Sequence, residues 1–503
     1  MTRLLHGLLV CAAAGEIALV AAAALIRLRE AGLTLAEAGA YGLVGTLMLL
    51  SLVLQVAAMT GCSRAVVIFE VLLLVAAAAD LRRHWRRLGL EMRAVISFGR
   101  HNPLLFTGML GIAFILLALL VTLPPLDPEI GLLTWKPTPG RAALAAPGPV
   151  NHRVLVDLFD RLSAGSGLLG LIGYLVIALS TFALARRYAW PPTAATVTLV
   201  VLSQPRLFYQ ALSSGTEILP AAVGLFCLLT LYRTAEHPRF ADLALLLLGL
   251  TFAVSDQPLG TAFPVVLGLL SIVVLYRRHG GRFWWWMTRE NPAASLATIA
   301  AGLVFAQVWR GSAGGAGTNS IAWPDNGDGI LGAAANAARY LLQSVDLMPA
   351  GEHLGQWIWD SSPRQVIVGI YDSFLGPLVG QSGAAAPFGL AWGFDANTAW
   401  FGPLGFALVL PAVGYALLRG PRRLKAVAVA MTGFAYMACL IPAWTPQNGA
   451  IFTRFFVCGG FTVAFLLPPW RLRRSAKLGI QVFCLLLLCY AALGHWGWII
   501  AGG

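Results

Sequence analysis

Apolar runs long enough to cross a bilayer recur along almost the whole chain, and they constrain its fold more than any other feature. The hydrocarbon core of a membrane is about 30 Å thick, and a helix needs about 20 mainly apolar residues to cross it. Backbone groups in lipid must find hydrogen-bond partners within their own segment, so each run is predicted as a helix. Fourteen runs qualify: 8–26, 41–60, 65–79, 103–123, 166–185, 192–212, 217–232, 241–255, 259–276, 292–310, 401–418, 426–443, 455–469 and 478–499.

The composition supports an all-α polytopic membrane protein with about 14 transmembrane helices. Of the 503 residues, 58% are hydrophobic and 11% are charged, whereas soluble domains carry about 25% charged residues. Such a chain cannot cover itself with polar surface, so membrane lipid is its expected surrounding. The net charge of +13 is spread over short loops between apolar runs, which argues against a nucleic-acid partner.

The cations predict the orientation of the chain, because short loops rich in Arg and Lys stay on the cytoplasmic side. Alternate loops hold 24 of the 35 cations, and they lie at 27–30, 80–100, 186–187, 232–239, 276–290, 419–425 and 470–477. The opposite side then carries two large loops, 124–165 and 311–400. Helix-like apolar spacing within 311–400 predicts a folded cap on the membrane. The Arg-rich and Ala-rich composition suggests a bacterial source, and hence the cytoplasmic (inner) membrane.

The basic segment 80–100 separates the first three helices from the others. We therefore expect an N-terminal three-helix membrane bundle at 1–95 and a transmembrane core at 96–503. The seven cysteines lie mostly in apolar runs without a C-x-x-C pair, which predicts buried thiols rather than disulfides or a zinc site.

No cofactor is expected. The stretch WPDNGDGI (323–330) resembles the start of a calcium loop only in part, since its spacing is wrong and the distal Glu is missing. A divalent cation is therefore weakly supported, and a turn built from Gly, Asn and Asp is the favoured interpretation.

Acids and cations collect near membrane edges on the predicted outward side. The stretch LPPLDPEIGLLTWKP (123–137) directly follows a long apolar run, and it places Asp127 and Glu129 at the start of the first outward loop. A general base needs a carboxylate within reach of the attacking group, and these two are the candidate catalytic residues. A phosphorylated leaving group needs cations around its developing charge. The candidate substrate-binding or phosphate-binding residues are Lys136, Arg206, Arg454, Glu217, Asp256 and His152.

Several of these residues have a plain structural explanation as well. Glu217 stands at a predicted helix start, where capping and the helix dipole also favour an acid. His152 is also explained as a structural loop histidine. Glu129 is either a second candidate base or a like charge that raises the proton affinity of Asp127.

Four stretches of the predicted core stand out by their order, sidedness and spacing, although each motif is degenerate. They are the opening of the first outward loop with Asp127, NHRVLVDLFDRLSAGSG with ALARRYAWPP, SQPRLFYQALSSGTEILPA with LGLTFAVSDQPLGTAFPVVLGLL, and GFDANTAWFGPLGFALVLPA with AWTPQNGAIFTRFFVCGGF. Together they resemble the GT-C class of integral-membrane glycosyltransferases, especially lipid A aminoarabinose, galacturonosyl and protein mannosyl transferases. The resemblance covers about 100–495.

The resemblance implies transfer of a sugar from a polyprenyl-phosphate donor to a glycolipid, glycan or protein acceptor. Asp127 takes the place of the family's catalytic base, and Arg454 lies in a stretch similar to the entry of a late helix. The chain also departs from the family pattern. Ser255, Asp256 and Gln257 replace a usual lysine, and the first loop reads EIGLLTWKP where close relatives carry an aromatic-His run.

Three alternatives stay open at this point. A transporter or flippase for a lipid-linked sugar would use the same cations without chemistry, although no convincing internal repeat is present. A non-catalytic partner subunit in envelope assembly would explain the missing lysine. An O-antigen ligase or polymerase would share the large outward loops but depend on arginines and a histidine. A requirement for an acid at 127 separates the transferase from the first two.

Overall fold

A computed structural model describes the chain in segments. They are residues 2–60, 63–122, 151, 154–155, 167–212, 217–254, 258–306, 326–344, 358, 360, 362–380, 382–390, 401–467 and 474–500. Across these residues the regular structure is helical, and the one β-bridge joins Ala384 to Trp444. The described part thus has the all-α architecture that the apolar runs predict.

Nine of the described helices are long and apolar enough to cross a membrane. Each coincides with one of the predicted runs. They are α1 (Thr2–Glu30), α2 (Leu35–Thr60), α4 (Pro103–Thr122), α5 (Gly167–Ala185), α8 (Ile218–Glu236), α10 (Pro258–His279), α15 (Gly402–Arg419), α16 (Arg422–Leu440) and α19 (Arg474–Ile500).

The other five predicted runs are also helical where the structure describes them, but they are short, broken or interrupted by charge. Run 65–79 is part of the long α3 (Ser63–His101), which continues through the basic segment with a kink at His84. The count of 14 membrane crossings therefore stays a prediction. Other described helices include α6 (Pro191–Leu202), α7 (Pro205–Ala211), α9 (Phe240–Phe252), α11 (Arg282–Glu290), α12 (Pro292–Phe305), α13 (Gly329–Ser344), α14 (Pro363–Ile370), α17 (Thr453–Gly460) and α18 (Val463–Leu466). Short helical segments also lie at Tyr371–Leu375, Gly376–Val379 and Pro446–Phe452.

Two predicted helices are discontinuous, and local chemistry explains one break. Pro205 cannot donate a backbone hydrogen bond, so the run 192–212 divides into α6 and α7 around Ser203 and Gln204. The run 455–469 divides into α17 and α18. The two breaks lie close together, because Gly460 at the end of α17 packs against Val201 near the end of α6.

The helix α8 forms the centre of the described bundle. Its candidate membrane-spanning segment is buried by protein on all sides, and it packs on α5, α9, α10 and α17. Gly224 permits the close approach of α10, since a Cβ there would lie 2.6 Å from the Phe263 Cζ atom. Small residues allow such close packing between membrane helices.

Described residues of six of the seven predicted cytoplasmic loops meet at one end of this bundle, here called the basic end. Arg29 pairs with Glu91 at 2.7 Å, and Arg239 donates to the carbonyl of Ala31 at 2.7 Å. The Glu236 carboxylate forms ion pairs with both Arg187 and Arg423. These contacts group the loops as the cation distribution predicts, while the side of the membrane that the basic end faces stays a prediction.

The boundary predicted at 95 falls inside α3. The first helices are also tied to the core by a buried ion network. Glu37, in the first turn of α2, lies 2.9 Å from Arg187 Nη2 and 3.1 Å from Arg233 Nη1. Asp242 of α9 lies 3.6 Å from Arg233 Nε and accepts a hydrogen bond from the Tyr41 hydroxyl at 2.9 Å. Three helices, α2, α8 and α9, and the turn after α5 therefore meet at two buried carboxylates.

Arg187 illustrates how the network keeps its charges. Burial by itself lowers the pKa of the Arg187 guanidinium, but the carboxylates of Glu236 and Glu37 outweigh that effect. The pKa is raised overall, so the side chain remains protonated. Glu37 also accepts a hydrogen bond from the Thr34 amide at 3.0 Å, which caps the start of α2.

The described part of 311–400 is folded, and a buried arginine organises it. Arg339 of α13 donates to the Tyr371 hydroxyl at 2.9 Å and to the carbonyls of Ser382 and Gly380. Its guanidinium also lies over the ring of Trp444, with its Cζ atom 5.9 Å from the centroid. These contacts bind the segment to the loop that follows α16. The described residues support the folded element predicted here.

The described part of WPDNGDGI forms a turn. Asn326 Oδ1 accepts from the Asp328 amide at 3.2 Å, and Asp328 Oδ2 accepts from the Gly383 amide at 2.7 Å. Among the described residues, no group of three or more His, Cys, Asp or Glu side chains is placed to hold a metal ion. Asp325 lies outside them.

Replacing Glu37 should destabilise the fold strongly. The substitution Glu37→Gln removes the carboxylate shared by the buried Arg233 and the partly buried Arg187, and breaking a buried pair costs about 3 kcal/mol. We expect the free energy of unfolding, measured by SDS titration in mixed micelles, to fall by that amount. Glu91→Gln is the matched control, because its pair with Arg29 is partly exposed and should contribute less than about 1 kcal/mol. Equal effects of the two substitutions would contradict the role assigned to Glu37.

Candidate functional site

Three of the eight predicted site residues are described, and the fold brings them together. Glu217 lies at the start of α8, and Arg454 lies in the first turn of α17. The Arg454 Nη2 atom is 3.0 Å from Glu217 Oε2, and the two side chains are 3% and 12% exposed. This buried ion pair joins two stretches that the sequence analysis proposed independently.

Arg206 lies at the edge of the same cluster. It is nearly fully buried in the first turn of α7, and its Nε donates to Thr453 Oγ1 at 3.0 Å. Thr453 in turn donates to the Ala450 carbonyl at 2.7 Å. Because Thr453 directly precedes Arg454, Arg206 of α7 contacts the turn of α17 that carries Arg454.

The ends of three helices position these side chains. Pro205 stands at the first position of α7, where its fixed φ suits a helix start. Glu217 is the residue before α8, but its side chain makes no capping hydrogen bond. The capping explanation for Glu217 is therefore wrong in its usual form, since the carboxylate pairs with Arg454 instead.

An aromatic ring borders the ion pair. Phe263 of α10 is fully buried, and the Arg454 Cζ lies 5.9 Å from its ring centroid. A cation over an aromatic face gains electrostatic stabilisation, which increases when water is excluded. The Arg454 Nε–H is buried and has no hydrogen-bond partner among the described residues. Within the described part of the chain, one donor of this guanidinium is therefore unused.

The cluster lies at the end of the bundle opposite the basic end. Helix α8 runs between the two, from Glu217 at one end to Glu236 at the other. Gly167, the first residue of α5, packs against Leu120 near the end of α4 and against Leu212 after α7. The last described turn of α4 therefore belongs to the same end as the ion pair.

Five predicted site residues lie outside the described residues, so their roles stay predictions. Asp127 and Glu129 follow Thr122, the last residue of α4, by five and seven positions in the sequence. Asp256 precedes the start of α10 by two positions. The full set outside the described ranges is Asp127, Glu129, Lys136, His152 and Asp256.

Further buried polar residues near this end escaped the sequence analysis. Gln204, in the break between α6 and α7, is fully buried, and neither of its amide atoms has a partner in the described part of the chain. His495 of α19 is nearly fully buried, with its ring 5.9 Å from that of Tyr209. The sequence feature that could have identified them is an ionisable or amide side chain within an apolar run.

An apolar cavity of about 310 Å³ lies on another side of α17. It is bounded by α13, α16 and the start of α17, with Tyr340, Tyr436, Phe452 and Phe456 among its walls. Arg454 and Phe456 are two positions apart on one helix, so their side chains point about 200° apart around its axis. The cavity and the ion pair are thus separated by the first turn of α17.

No protein-family model matches the chain, and no curated protein matches it at the significance level applied. The class of the protein follows from its helices: an all-α, multi-pass membrane protein with a buried charge cluster at one end. The GT-C resemblance remains a hypothesis derived from the sequence motifs.

A double-mutant cycle tests the ion pair. Glu217→Gln leaves Arg454 buried without its counter-charge, so it should lower the free energy of unfolding by about 3 kcal/mol. Adding Arg454→Gln removes the stranded charge and should recover part of that loss, which gives a coupling energy above about 1 kcal/mol. The measurement is unfolding in mixed micelles for the wild type, both single variants and the double variant. Strictly additive effects would show that the two residues do not interact.

Proposed function

We propose that the protein is an integral-membrane glycosyltransferase of the GT-C type. It moves a sugar from a polyprenyl-phosphate donor to an extracytoplasmic lipid, polysaccharide or protein acceptor. The observation that carries this proposal is the buried cluster of Arg206, Arg454 and Glu217, at the end of the bundle where the chain leads into the segment with Asp127.

The proposed reaction is an inverting transfer. Asp127 accepts the proton of an acceptor hydroxyl, whose oxygen attacks the anomeric carbon of the sugar. A bond between this oxygen and carbon forms, while the bond from the carbon to the donor phosphate oxygen breaks. Polyprenyl phosphate leaves with the electron pair of the broken bond. Glu129 is the alternative base.

Arg454 is assigned to the departing phosphate. The Nε–H that lacks a partner among the described residues is a buried donor, and the planar guanidinium suits phosphate oxygens. Its pairing with Glu217 fixes the orientation of the guanidinium before the donor arrives. Arg206 holds the same turn through Thr453. Lys136, Asp256 and His152 stay predicted members of the site.

The apolar cavity suits the prenyl chain of the donor. Its wall is mainly apolar and aromatic, with Phe452 and Phe456 beside the start of α17. If the prenyl chain of the donor lay in this cavity and its phosphate at Arg454, the donor would pass around the N-terminal end of α17. This placement assigns the two ends of an amphipathic donor to an apolar space and a buried cation.

The proposed location is a bacterial cytoplasmic membrane, with the basic end toward the cytoplasm. The donor and acceptor then act on the extracytoplasmic side. A cysteine in place of Arg83 at the basic end should react only with a membrane-permeant thiol reagent in intact cells. The variant Asp372→Cys, at an exposed position of 311–400, should also react with an impermeant reagent. The reverse labelling pattern would invert the proposed orientation.

One observation favours transport of a lipid-linked sugar as a second candidate function. The breaks between α6 and α7 and between α17 and α18 adjoin, and Gln204 in the first break is buried without an amide partner in the described chain. Discontinuous helices that meet within the membrane form the substrate sites of many transporters. A transporter would move the donor without breaking its glycosidic bond.

The decisive experiment compares the wild type with Asp127→Asn in sugar transfer from a polyprenyl-phosphate donor to a membrane lipid extract. Asn keeps the shape of Asp but cannot accept the proton, so the rate should fall by about 100-fold or more. Asp372→Asn is the matched control, since it removes an exposed carboxylate from the other predicted outward loop.

The other outcomes each lead to a different conclusion. Equal rates for the wild type and Asp127→Asn would exclude Asp127 as the base and move the assignment to Glu129. If the wild type binds the donor and carries it across a vesicle membrane without transfer, the transporter takes the place of the transferase. If donor binding occurs with neither activity, the partner-subunit alternative gains support.

A further inference from the structure

A cavity of about 450 Å³ opens at the basic end, between the end of α5, the last turn of α8 and the first turn of α16. Three arginines, two tyrosines, one glutamate and Pro421 form its walls. The three cations outnumber the one carboxylate. The cavity therefore has a positive potential that would attract an anion.

The hydrogen bonds of these residues show where the unused charge lies. Arg187 is occupied, because it bonds Glu37, Glu236 and the carbonyl of Ala183. Glu236 also accepts from Arg423 Nη1 at 3.2 Å. Arg422 is exposed and has no ion pair or hydrogen bond with any described residue. The free positive charge is thus concentrated on Arg422 and on the remaining donors of Arg423.

Two further groups at the cavity suit an anion. The hydroxyls of Tyr188 and Tyr232 are 2.7 Å apart, so one donates to the other and the acceptor hydroxyl keeps a proton for a ligand. Helix α16 begins at Arg422, directly after Pro421, and no side chain caps it. Its first amides and its positive dipole end add to the attraction for an anion.

We propose that this cavity binds a phosphate group, which Arg422 and Arg423 hold from one wall and the tyrosine pair contacts from another. Arginine favours phosphate because its planar fork donates two parallel hydrogen bonds to two oxygens. The volume falls within the range of small-ligand sites. The site is independent of the proposed transfer reaction, because it lies at the other end of α8 from Arg454.

Two sources supply the same chemical group at this position. One is the headgroup of an anionic phospholipid, since basic cavities between membrane helices take such headgroups. The other is a soluble phosphate compound that enters from the adjacent water. The two sources differ in whether binding needs a lipid.

The test uses the full-length protein in detergent, with two probes. Inorganic phosphate and short-chain phosphatidylglycerol are each titrated at constant ionic strength against chloride and phosphatidylcholine, respectively. The readout is the ligand concentration at which the melting temperature rises. Arg422→Gln should weaken binding of the active probe by about tenfold. Arg419→Gln is the matched control, since Arg419 is also an exposed arginine but lies outside the cavity wall.

A third variant should change the affinity for the probe in the opposite direction. Glu236→Gln removes the carboxylate from the cavity wall and should tighten binding several-fold, although it lowers basal stability. Stabilisation by phosphate supports a soluble ligand, and stabilisation by phosphatidylglycerol alone supports a lipid headgroup. The proposal is overturned if neither probe acts, or if Arg422→Gln and Arg419→Gln reduce binding equally.

Discussion

The burial of α8 on every side is the constraint on which the rest of the described structure depends. Charges at both ends of this helix are withdrawn from water, and an unpaired charge in such surroundings costs several kcal/mol. Each therefore needs a partner from another helix. Glu217 pairs with Arg454 at one end, and Arg233 pairs with Glu37 and Asp242 at the other. These requirements tie α2, α9 and α17 to one central helix.

The two ends differ in what their charges leave available. At the basic end the carboxylates of Glu37 and Glu236 satisfy Arg187, and the charge without a partner among the described residues lies on the exposed Arg422. At the opposite end the donor that finds no partner in the described ranges is the buried Nε–H of Arg454. A buried donor interacts more strongly with an anion because little water competes. This difference suits a reacting phosphate at one end and a stably bound phosphate at the other.

Hydropathy predicted the helices well because the bilayer imposes helix formation on any long apolar run. It predicted continuity less well. The run 192–212 is divided at Pro205, and 65–79 continues as α3 through charged residues, because packing and aqueous exposure at that point permit it. For the site, the residue types indicated Arg206, Glu217 and Arg454, but not Gln204 or His495. Each of these two is a single polar residue in an apolar run. The distance between them along the sequence does not indicate that they lie at the same site.

By itself the sequence determined the membrane class, the positions of most helices and the grouping of the basic loops. These properties depend on local composition, because the composition of each segment by itself decides whether it lies in lipid or in water. Only the tertiary structure decided which charges meet. Arg206 and Thr453 are 247 positions apart, and Arg454 reaches Glu217 only because α17 packs against α8. Which charges pair depends on which helices are neighbours in the bundle. That arrangement follows from the shapes of many side chains together.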